Sequence, residues 1–94
     1  MNDQDLKLKA ARGDRAQILL SDPLIQEAFI RLKGDLLNQF NSSNLDDEKA
    51  RLNTWQQGQL LDKLEKNFIS IVKTGENAKL SLFEQSKNTI RNII

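Results

Sequence analysis

The stretch Leu45–Lys73, LDDEKARLNTWQQGQLLDKLEKNFISIVK, decides the fold. It holds no proline and one interior glycine, Gly58, with Gly75 placed just beyond it as a stop. As a helix rising ~1.5 Å per residue it would run roughly 43 Å, against a radius of gyration near ~13 Å for a compact chain of this size. Such a rod sets the arrangement of its neighbours and predicts an elongated, all-α protein.

Immediately before the rod, Asn41-Ser42-Ser43-Asn44 forms a polar loop just long enough to reverse the chain. Ser43 or Asn44 is expected to cap the rod, with Asp46, Asp47 and Glu48 in its first turn, where the helix dipole favours negative charge. Before the loop, Ile25, Phe29, Leu32, Leu36 and Phe40 recur every three or four residues, the mark of an amphipathic helix. Leu24, Ala28, Ile30 and Leu37 widen that stripe. Its start is given by Ser21-Asp22-Pro23. Proline disfavours the helical conformation at Asp22, which becomes an N-cap with Pro23 at the first helical position.

The core expectation is therefore an antiparallel helical hairpin, about 23–40 against 45–73, with flanking N- and C-terminal helices. Its expected register sets Phe40 beside Leu45, Leu36 beside Leu52, Phe29 beside Trp55 and Ile25 beside Leu60. In that register the shorter arm ends near Leu61, while the densest apolar run (Leu60, Leu61, Leu64, Phe68, Ile69, Ile71 and Val72) extends past it. Three things could cover the excess: the first helix, the C-terminal segment folding back, or another copy of the chain.

The N-terminal segment, Asp5 to Leu20, sets Leu8, Ala11, Arg15, Ile18 and Leu19 near one face, with Leu6, Ala10 and Leu20 beside it. Asn2 or Asp3 is placed to cap it, and Gly13 weakens its middle by about 1 kcal/mol relative to Ala; its first turns are expected to fray and residues from about 10 onward to hold, because the apolar spacing tightens there. At the other end Gly75 is expected as the C′ residue of the rod. Residues 76–94 then form a marginal helix or arm, with Leu80, Phe83, Lys87, Ile90 and Ile94 at helical spacing. The whole chain, 1–94, is read as a single helical domain.

Composition limits the chemistry. Only 38% of the 94 residues are apolar, and the mean hydropathy is −0.56, so the core is expected to be a thin seam between helices. With no Cys and no His, disulfides, thiolate nucleophiles and Ser–His or Cys–His arrangements are excluded. Glu-x-x-His di-iron motifs are absent for the same reason. Carboxylates such as Asp62 and Glu65 lie beside Lys63 and Lys66 and read as surface ion-pair partners. Asp46-Asp47-Glu48 lacks the Gly-turned loop of a calcium site and reads as dipole capping. Arg12-Gly13-Asp14, an integrin-type tripeptide, reads as a chance match inside a helix. The protein is thus expected to be non-enzymatic, with no cofactor, no metal and no small-molecule substrate. No apolar run is long enough to span a membrane, and the polar N-terminus MNDQDLKLKAARGD does not resemble a secretory leader.

Net charge is +1, divided as +1, −2 and +2 over residues 1–20, 21–72 and 73–94. The basic end makes Lys79, Lys87 and Arg91 candidate polyanion contacts, although no aromatic residues alternate with the tail basics as single-strand binders require. Trp55, alone among glutamines, is either a core anchor facing Phe29 or an interface hot spot. The interface candidates are Trp55, Leu60, Leu61, Leu64, Phe68, Ile71, Val72, Leu80, Phe83 and Ile90.

Residues 16–29, AQILLSDPLIQEAF, carry an A-x-x-L-L-x-D-P-L-x-x-E-A-F theme, followed by Arg51 and Trp55, then Leu60, Leu61 and Leu64, then Gly75 and Ala78. This pattern, over about residues 10–80, resembles small helical proteins encoded by tailed phages and prophages in their virion gene clusters. The resemblance implies an accessory role in virion structure or assembly, in the host cytoplasm or on the virion, and carries over no functional residue. The expected function is helix-mediated self-association or docking on a larger phage or host protein. Two alternatives are a small nucleic-acid-associated packaging or regulatory subunit using the basic C-terminal segment, and a phage-encoded inhibitor of a host protein.

Overall fold

The computed structural model describes residues 2–93, with side chains through residue 88. It is all-α: α1 (Asp3–Ser21), α2 (Pro23–Ser42) and α3 (Glu48–Ile93) follow one another, with no strand among the described residues. They form two compact units. One joins Met1–Leu19 to Phe68–Ile94, and the other is the segment Leu20–Asn67.

In the first unit α1 lies against the C-terminal half of α3. Its start is capped as expected: the Asn2 side chain accepts a hydrogen bond from the Asp5 N–H at 2.8 Å, satisfying one of the free amides of the first turn. The buried face of α1 also differs from the expected one. Leu6 (6% exposed) and Ala16 (4%) are buried with Gly13, whereas Leu8, Ile18 and Leu19 are exposed. The reason is the identity of the opposing residues on α3. Gly75 is buried there, as is Ala78 at 3% exposure. A Cβ built on either Gly13 or Gly75 would fall 2.7 Å from the other's Cα. Small residues let two helix backbones touch, and that contact turns the larger Leu8 and Ile18 outward.

The same contact corrects the expected end of the rod. Gly75 is not a C′ residue: no glycine has the positive φ that such a cap adopts, and α3 continues through it to Ile93. Residues 76–93 are the rest of α3 and not a separate arm. Lys79 bonds the Asp14 carboxylate across the same seam, so the Arg12-Gly13-Asp14 tripeptide has its glycine packed and its aspartate engaged.

In the second unit α2 and the N-terminal part of α3 form the expected hairpin. Asp22 is the N-cap, its side chain accepting from the Leu24 N–H at 2.8 Å, with Pro23 opening the helix. The Gln26 side-chain amide donates to the Leu20 carbonyl at 3.1 Å and bridges the break. At the far end Ser43 closes α2, its N–H donating to the Gln39 carbonyl at 3.1 Å and its hydroxyl to the Phe40 carbonyl at 2.6 Å.

Ser43 is thus the C-cap of α2, and the cap of α3 is Asp47, which accepts from the Ala50 N–H at 3.1 Å. The rod begins at Glu48 and not at Leu45, because the Asp47 N–H first closes a turn onto the Asn44 carbonyl at 3.0 Å. The reversal falls later in the chain than expected, between Ser42 and Glu48, and this slides the hairpin register. Phe40 meets Arg51, whose guanidinium lies 4.1 Å from the ring centroid, instead of Leu45. Lys33 pairs with Glu65 at 3.0 Å, well beyond the Leu52–Trp55 region expected opposite it. The short arm consequently covers more of α3 than the sequence spacing implied.

Candidate functional site

A pair of helices shields only the stripe between them, and both flanks of the Leu20–Asn67 hairpin stay open. On one flank Leu32, Leu36, Gln57, Leu60, Leu61 and Leu64 line a groove of about 280 Å³. Leu36 and Leu61 are half-buried in the seam, while Leu32, Leu60 (65% exposed) and Leu64 project from it. On the other flank a larger groove, about 460 Å³, is lined by Leu37, Phe40, Trp55 and Gly58 with Lys33 and Asp62 among its polar members. Trp55 is 56% exposed in this groove. It neighbours Leu37 and Phe40 rather than Phe29, because of the register shift, and is not a core anchor.

The polar residues around the second groove form a surface ion-pair ladder. Lys66 donates to Asp62 at 2.8 Å. That hydrogen bond, and then the carboxylate's charge, push the exposed Lys66 ammonium above the ordinary lysine range. Lys33 reaches both Glu65 oxygens, at 3.0 and 3.1 Å. Exposed pairs of this kind contribute little to stability, roughly 0–1 kcal/mol, but they fix which side chains edge the groove.

The remaining candidates separate by unit. Phe68 and Ile71 are half-buried and sit with Arg12, Arg15, Ala16 and Leu19 of α1, so they serve the interior of the first unit. Val72 is half-buried in the same unit. Leu80 and Phe83 are exposed on α3, and Lys87 lies 5.2 Å from the Phe83 ring centroid. Of the three polyanion candidates, Lys79 is engaged by Asp14, and the side chains of Arg91 and Ile90 lie outside the described residues. Sequence reasoning did not name Leu32, Leu36, Leu37 and Phe40 as part of an open surface. The signal was present in the breadth of the α2 stripe, which is wider than one neighbouring helix can cover.

Among the described residues no helix is long and apolar enough to cross a membrane. No family model matches the chain, and no curated protein or solved structure is significantly similar to it.

Proposed function

We propose that this protein acts without catalysis, as a helical association module whose open hairpin flanks dock onto protein. One observation carries this: projecting leucines and Trp55 surround two apolar grooves in a unit whose own helices cannot close them. Apolar surface gathered in this way marks partner sites more often than scattered exposure does. The phage-like pattern of residues 16–29 supports an assembly or accessory setting for that docking. The chemistry of the sequence, with neither His nor Cys, supports the absence of a catalytic role. Cross-linking in the source cell, with light scattering of the purified chain, tests the proposal. Recovery of a defined complex, with itself or with another protein, is expected. A chain that stays monomeric and cross-links to nothing overturns it.

A further inference from the structure

We infer that the leucine-lined flank of the Leu20–Asn67 hairpin is covered by a second copy of this chain, packed face to face about a two-fold axis. The inference rests on the association proposed above and names its partner and its face.

Two observations select a second copy. The first is the chemistry of the groove. Its lining is five leucines and one neutral amide, Gln57. A two-fold axis brings each central residue near its own copy, so a charged centre would repel itself, and this centre holds no charge. The other groove, edged by Lys33 and Asp62, lacks that property.

The second is the rim. Asp35 stands one turn beyond Leu32 on α2, and Lys63 one turn beyond Leu60 on α3. Both are exposed, and neither is among the ion-paired residues described. When α2 of one copy lies along α3 of the other, Asp35 of each meets Lys63 of its partner. The contact is then self-complementary in charge as well as in shape, and two hairpins complete a four-helix layer. Leu32, Leu60 and Leu64 each gain neighbours that the single hairpin cannot supply.

Sedimentation equilibrium of the full chain from about 1 to about 100 μM, spanning ordinary dimer affinities, is the test. A dimer is expected. The double variant Leu32→Glu/Leu60→Glu should weaken it about a hundredfold while the far-UV circular dichroism stays unchanged, since both side chains are exposed in the single chain. Asp35→Lys should weaken it about tenfold, and adding Lys63→Asp should restore it. Trp55→Ser, on the opposite flank, should leave it within about twofold. A wild-type chain monomeric throughout overturns the second copy while leaving docking on another protein standing. A dimer sensitive to Trp55→Ser, and indifferent to the leucine and charge variants, overturns the face while leaving self-association standing.

Discussion

Gly13 and Gly75 touch through their backbones, and that contact makes an unusual demand on two helix-interior positions. Elsewhere a glycine inside a helix is a liability of about 1 kcal/mol relative to alanine. Here the added methyl would meet the opposing Cα at 2.7 Å, with further backbone atoms at 3.0–3.4 Å, and backbone cannot swing aside as a side chain can. Overpacking of this kind costs about 1–3 kcal/mol, which exceeds the gain in helix propensity. Gly13→Ala and Gly75→Ala are therefore expected to destabilise the protein in urea denaturation. Gly34 and Gly58 are helical too but have nothing within 4 Å of a built Cβ. Gly34→Ala is expected to stabilise by up to about 1 kcal/mol. The opposite sign of Gly34→Ala from Gly13→Ala and Gly75→Ala is the check. Equal effects would mean that the close approach of α1 and α3 does not govern the site.

The helices are defined by their ends as much as by their faces. The break between α1 and α2 was legible from Asp22-Pro23 alone, because the proline ring and the capping carboxylate act within two residues of themselves. Asp22→Ala should lower stability by about 1 kcal/mol, since it leaves the Leu24 amide without its partner. Chemical denaturation measures this, and a loss close to zero would show that Gln26, bonded to the Leu20 carbonyl, holds the junction without the cap. The second loop was less legible. Ser43, Asn44 and Asp47 are all good capping residues, and composition does not say which serves which helix. The structure gives Ser43 to the end of α2 and Asp47 to the start of α3. That choice moves the reversal later in the chain and shifts the facing pairs with it, so that Trp55 lines an open groove with Phe40.

For the molecule as a whole, stability and association are expected to be linked. Leu6, Ala16 and Ala78 are the only buried apolar residues among those described, so covering the exposed leucines would add hydrophobic driving force that the single chain leaves unused. If a second copy covers the leucine flank, mass action makes folding depend on concentration. A hundredfold dilution then removes up to about 2.7 kcal/mol, and the melting midpoint should fall by about 5 °C or more for a chain of this size. Calorimetry at two concentrations measures the shift, and a midpoint independent of concentration contradicts it.

The sequence by itself determined the helical class, the proline-marked break and the hairpin that follows it. Each depends on interactions within a few residues, or on composition, and both can be read along a line. Only the tertiary structure decided the hairpin register, the small-residue seam and the continuation of α3 through Gly75. Glycine inside a helix signals termination or close approach according to what stands opposite it, and the residue opposite Gly75 is Gly13, far away along the chain. A pairing of two distant small side chains leaves no periodic trace, so it becomes visible only when the helices are laid side by side.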